Sequence, residues 1–258
     1  MNATASSPDG IPIRYEQHGA RSPAIVLVHG WSCDRTYWRE QVGPLAARHR
    51  LVAIDLAGHG ESGAGRDSWT MPAFGADVAA VVDDLGLDDV VLVGHSMGGD
   101  VIVEAALLLG DRVRGLVWVD TYPGLGEPTS AAEVDSFVAN LGRDFVGETT
   151  RFVQGMFSAT ADPDLAAWVS ADMASAPPAI ALDAMRHSFL NEGPAIDGLA
   201  RLDAPRVTIN PDDGPVDVAS LERHGFRVVM VEGVGHFLML EDPPRFNAVL
   251  EDAIASFS

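Results

Sequence analysis

The chain has 258 residues, 37 of them acidic against 17 basic for a formal charge of −20 at pH 7, and 47% are hydrophobic. That much apolar side chain supports a folded core and excludes a disordered chain. A field this negative repels polyanions, so neither nucleic acid nor an anionic membrane is expected as a partner. Every basic residue is arginine, which removes Schiff-base and P-loop lysines, and the single Cys33 allows no intrachain disulfide or cysteine-built metal site. Residues 1–10 lack a basic and apolar leader pattern. No apolar run reaches the roughly 18 residues that span a bilayer, so a cytoplasmic protein is expected.

In chain order, short β-branched runs alternate with longer amphipathic stretches, the pattern of a mostly parallel sheet covered by helices on both faces. Strands are predicted over 24–28, 51–54, 90–93 and 113–119, with helices over 34–47, 71–85 and 96–109 between them. The alternation stops at Pro123. From there to Leu202 the chain is rich in Ala, Asp, Gly and Pro, with Phe137, Phe152, Met156, Met173, Met185 and Phe189 among its large apolar residues at helical spacing. A strand over 206–210, a short helix near 216–224, a strand over 227–231 and a last helix over 243–257 follow. The expectation is one α/β core, 1–122 with 203–258, interrupted by a helical cap insert over 123–202.

The chemistry concentrates at Gly94-His95-Ser96-Met97-Gly98, a G-x-S-x-G between an apolar strand and a helix. A turn this sharp strains the serine, and glycines on either side remove Cβ atoms that would collide, so the hydroxyl stands exposed at a helix N-terminus. Ser96 is the candidate nucleophile; the bland alternative is an ordinary turn.

With Val28-His29-Gly30-Trp31, Asp55-Leu56-Ala57-Gly58-His59-Gly60-Glu61-Ser62 and Gly233-Val234-Gly235-His236-Phe237, the elbow forms four motifs in an order that resembles the α/β-hydrolase superfamily over nearly the whole chain. The resemblance implies a Ser-His-Asp triad with Ser96 as nucleophile and His236 as base. It also implies an oxyanion hole made by the backbone N–H groups of Trp31 and Met97.

The acid has two candidate places. In many relatives it follows the strand that here ends at Asn210, but Pro211 and Gly214 stand where the usual glycine and acid would be, leaving Asp212 or Asp213 out of phase. In other members of the superfamily it ends the strand after the nucleophile helix, where Asp120 stands. Both keep the order serine, acid, histidine, and Asp120 is favoured because it terminates a buried strand.

Asp55, His59 and Ser62 read as a structural turn, and His29, His95 and His187 lack metal-ligand spacing, so no metal is expected. Cys33 reads as a packed small hydrophobe. Without G-x-G-x-x-G after a strand or a Walker lysine, no nucleotide cofactor is implied. The insert's aromatics and methionines together suggest a lid over Ser96, with Trp31, Phe152, Met156 and Phe237 as substrate-binding candidates around an apolar pocket.

A serine in place of an aspartate argues against epoxide-hydrolase and dehalogenase chemistry, which needs a carboxylate nucleophile. The function expected is cofactor-free hydrolysis of a small, uncharged, largely apolar carboxylic ester or lactone. Two other functions of the same scaffold stay open: a cofactor-independent dioxygenase of a heteroaromatic substrate, and a non-hydrolytic ligand receptor or cyclase.

Overall fold

The computed structural model describes residues 2–126 and 128–257; Met1, Glu127 and Ser258, within the expected core and cap spans, lie outside the described residues. The chain opens with β1 (Asn2–Ser6), β2 (Pro12–His18) and β3 (Ala24–Val28), then a short 3-10 turn and α1 (Arg39–Ala46). β4 (Arg50–Ile54), α2 (Met71–Asp84), β5 (Val90–His95), α3 (Met97–Leu109) and β6 (Val113–Val119) follow. Five helices come next: α4 (Ala131–Leu141), α5 (Phe145–Gln154), α6 (Pro163–Met173), α7 (Pro178–Phe189) and α8 (Glu192–Leu199). The chain ends with β7 (Arg206–Pro211), α9 (Val218–Arg223), β8 (Phe226–Val231), α10 (Leu238–Glu241) and α11 (Pro243–Ala255).

The eight strands form one sheet in the order β1-β2-β4-β3-β5-β6-β7-β8. β1 and β2 pair antiparallel at one edge and the other strands run parallel. β3 and β5 are buried at every residue, as expected of central strands with helices on both faces. The parallel strands and their helices follow the sequence expectation to within a few residues. The antiparallel pair at the edge was not predicted: β2 alternates polar and apolar residues with only partial burial, and β1 carries Thr and Ser among its alanines.

Helix starts follow local chemistry. Ser130 and Glu133 form a reciprocal capping box at α4, Thr70 caps α2, and Asp162 caps α6 ahead of Pro163. Among the described residues, no single helix is long and apolar enough to cross a membrane.

Candidate active site

β5 ends at His95 and α3 begins at Met97, so Ser96 alone turns the chain from strand to helix, with φ 52° and ψ −123°. This left-handed backbone is strained for a residue with a Cβ. It is held because Ser96 N–H donates to Val119 O at 2.9 Å and Gly99 N–H donates to Ser96 O at 2.9 Å. A Cβ at Gly94 would lie 2.2 Å from Gly98 O, and one at Gly98 would lie 2.6 Å from Val28 O, so both flanking positions need glycine. The positive end of α3 lies directly behind the serine.

Asp120 follows the last residue of β6, also with positive φ (47°), and its N–H donates to Ile209 O at 2.9 Å. Its Oδ2 accepts from His236 Nδ1 at 2.6 Å, with side-chain exposures of 19% and 18%. A carboxylate only accepts, so Nδ1 carries the proton of this bond. His236 N–H in turn donates to Met156 O at 2.8 Å, which ties the histidine loop to the helical segment after β6. That approach requires Gly235, where a Cβ would sit 2.4 Å from Met156 O.

The two alternative acids lie elsewhere. Asp212 is exposed and accepts from Gly233 N–H at 2.8 Å, so it braces the histidine loop by its backbone. Asp213 is exposed as well; partial burial and the neighbouring Asp120 carboxylate raise its pKa, with His236 acting in the opposite sense.

His95 holds the loop from beneath, its Nε2–H donating to His236 O at 2.9 Å. Burial keeps its ring neutral, well below the usual imidazole range. Met97 is the first residue of α3, so its N–H has no partner within the helix. Gly30 brings the other loop against the elbow: a Cβ there would stand 3.2 Å from Ser96 Cβ. Trp31 follows, and its indole Nε1–H donates to Ala181 O on α7 at 2.7 Å, joining the segment after β3 to α7.

A cavity of about 180 Å³ opens at Ser96 and is lined by both Ser96 and His236. Trp31, Phe152, Met156 and Phe237 all line it, so the four residues singled out for the pocket wall come together. Met173, Met185 and Phe189 from α6 and α7 complete the apolar wall, and Cys33 lies in it too. The Cys33 thiol is buried, donates to Trp31 O at 3.3 Å, and burial pushes its pKa well above the ordinary thiol value.

Asp55, His59 and Ser62 build a turn. The buried Asp55 carboxylate pairs with the Arg35 guanidinium and accepts from the N–H groups of Arg35 and Glu61 at 2.8 and 2.9 Å. A Cβ at Gly60 would meet this carboxylate at 2.4 Å. His29 accepts from Leu56 N–H at 3.0 Å, and burial lowers it to about 4 and His59 to about 3, so both are neutral braces. His187 lies on α7 beside Ser68 and Asp183.

One group at the site went unnoticed in the sequence. Asp100, 2% exposed on α3, accepts from Tyr122 Oη–H at 2.8 Å, Asn191 Nδ2 at 3.0 Å and Ser188 Oγ at 3.4 Å. Burial raises it to about 7 against the opposing pull of those three donors. Its position four residues after Ser96, on the same face of a helix, was the available signal.

A mostly parallel sheet whose central strand delivers a strained serine to a helix N-terminus, beside a carboxylate-bound histidine, defines an α/β hydrolase. Residues 25–249 match the model of the alpha/beta hydrolase family, and the chain belongs to that family. It is 30% identical over 252 residues to a pimeloyl acyl-carrier protein methyl ester esterase of Aeromonas hydrophila, covering 90% of this chain and 95% of that one. An esterase structure from Thermogutta terrifontis superimposes over 100% of this chain and 99% of that one, with a TM-score of 0.85 at 24% identity. Est816, described as an N-acyl homoserine lactone degrading enzyme, matches over 97% and 99% with a TM-score of 0.82 at 27% identity. Over 108 to 135 residues the chain also matches longer curated proteins, of whose length it spans 35% to 40%.

Proposed function

We propose that this chain is a cofactor-free serine hydrolase of small, largely apolar carboxylic esters or lactones. The observation that carries this reading is the 2.6 Å bond from His236 Nδ1 to Asp120, beside a strained Ser96 that opens into an apolar cavity. Asp120 fixes the imidazole so that Nε2 is the base. Ser96 Oγ attacks the carbonyl carbon as Nε2 takes its proton, and the oxyanion is received by the N–H groups of Trp31 and Met97. Collapse of the tetrahedral species breaks the C–O bond, and the imidazolium gives its proton to the departing alkoxide. Water then attacks the acyl-serine by the same route, returning the acid and free Ser96. Each oxyanion donor is worth about 10² to 10³ in kcat.

The methyl ester and lactone chemistries named for the relatives agree with this substrate class. The test is steady-state hydrolysis of p-nitrophenyl acetate, butanoate and octanoate by wild type and Ser96→Ala. Wild-type turnover reduced at least about 10³-fold in Ser96→Ala is expected. Full turnover by Ser96→Ala would overturn the nucleophilic mechanism. Absent esterase activity, with oxygen uptake on a heteroaromatic substrate, would move the assignment to the dioxygenase reading.

A further inference from the structure

The space at Ser96 has a second half, built differently from the first. A chamber of about 520 Å³ opens at the same serine and shares Met97, Thr121, Ser188 and Phe189 with the apolar one. A substrate held at Ser96 therefore has room on two sides. The second chamber's own walls carry Asp100, Glu133 and Glu192, and among the described residues lining it there is no arginine or histidine. Asp100 and Glu192 are 2% and 8% exposed.

The buried Asp100 carboxylate is held by three neutral donors rather than by a cation. Charge buried on those terms is costly, and a positive group entering the chamber would offset that cost. A further observation bears on the occupant. Tyr122, Phe137 and Phe189 line the chamber as well, and aromatic rings attract ammonium groups.

We propose that the second chamber takes an ammonium group, so that the preferred substrates are esters with an apolar part on one side of the carbonyl and a cationic amine on the other. This rests on Ser96 as the nucleophile and replaces the expectation of a wholly uncharged substrate. The overall charge of −20 draws such cations toward the site.

The test has a kinetic and a binding arm, both at pH 8, above the value of about 7 to which burial raises Asp100. In the first, kcat/KM is measured for butanoylcholine and for its neutral isostere 3,3-dimethylbutyl butanoate, with wild type, Asp100→Asn and Glu133→Gln. The choline ester is expected to lead by about tenfold in wild type. The ratio should fall toward one in Asp100→Asn and by about twofold in Glu133→Gln, whose surface position protects the fold should Asp100→Asn misfold. In the second arm, calorimetry with hexyltrimethylammonium should give binding at least about fivefold weaker in Asp100→Asn, or in Glu192→Gln if the former does not fold.

Equal kcat/KM for the two esters in wild type, or a ratio and an affinity unmoved by the variants, overturns the proposal. Ser96-dependent hydrolysis of the neutral ester together with that result removes the ammonium chamber alone. Carboxylate-dependent ammonium binding without Ser96-dependent hydrolysis keeps the chamber and removes the hydrolase mechanism.

Discussion

Replacing Asp120 with asparagine removes one charge and leaves nearly the same shape. In the proposed mechanism the carboxylate has two tasks: accepting from His236 Nδ1 at 2.6 Å, which fixes the tautomer, and offsetting the imidazolium formed when Ser96 gives up its proton. Two unit charges about 4 Å apart at an effective dielectric near 20 attract by about 4 kcal/mol. Both side chains are close to one-fifth exposed, which discounts this to about 3 kcal/mol. An amide can also turn its NH₂ toward Nδ1 and stabilise the wrong tautomer, and in a serine protease the same exchange costs about 10⁴ in kcat. The expected loss is therefore about 10² to 10⁴ in kcat, with KM within about threefold, since neither effect changes a contact with bound substrate. Hydrolysis of p-nitrophenyl butanoate gives both constants, and thermal melting reports whether the fold survives. Asp212→Asn, which changes only a brace to Gly233 N–H, should stay within about threefold of wild type. Asp120→Asn retaining more than a tenth of wild-type kcat, or Asp212→Asn losing as much as Asp120→Asn, would refute the reasoning.

Further outcomes follow from other contacts. Asp100, raised to about 7 by burial, binds its proton in the folded state at pH values where the unfolded chain, near 3.8, has lost it. Its stabilising contribution is thus present at pH 4 and lost as pH rises through 7, by up to about 4 kcal/mol. The stability of wild type relative to Asp100→Asn, from urea unfolding, should fall between pH 5 and 8; an equal difference at both would disprove it. Gly98→Ala forces a Cβ to within 2.6 Å of Val28 O and should destabilise by about 2 to 4 kcal/mol in the same assay. Trp31→Phe deletes the 2.7 Å bond to Ala181 O, with an expected loss of about 1 kcal/mol, a melting point lower by about 2 to 4 °C and a raised KM. Neutral esters should be turned over faster than dianionic ones of equal size, and added salt should narrow the gap; a preference for dianions would refute the field argument.

The readable parts of the sequence were those whose causes lie within a few residues. β3, the first four residues of β5 and the last four of β6 are apolar runs because helices cover both their faces, and such runs are visible without knowing what covers them. The serine elbow was equally plain, since Gly94 and Gly98 are required by contacts made within the turn and with the strand beside it. The edge pair β1 and β2 was missed because a half-exposed strand with polar residues on one face has no strong period over so few residues.

Residue types and chain order brought the candidates down to one serine, one histidine and three aspartates. Which carboxylate meets His236 depended on a contact across 116 residues, made where Asp120 N–H bonds the neighbouring β7 and the histidine loop folds back toward β6. The part played by the helices after β6 was likewise tertiary: Ala181 and Met156 contribute backbone carbonyls that bond the Trp31 indole and the His236 N–H, and a carbonyl leaves no mark in the sequence. Asp100 looked like any acid in the first turn of a helix. Its burial against Tyr122, Ser188 and Asn191 arises only because α7 and the residues after it pack over α3, since a side chain's exposure is decided by what the rest of the chain lays upon it.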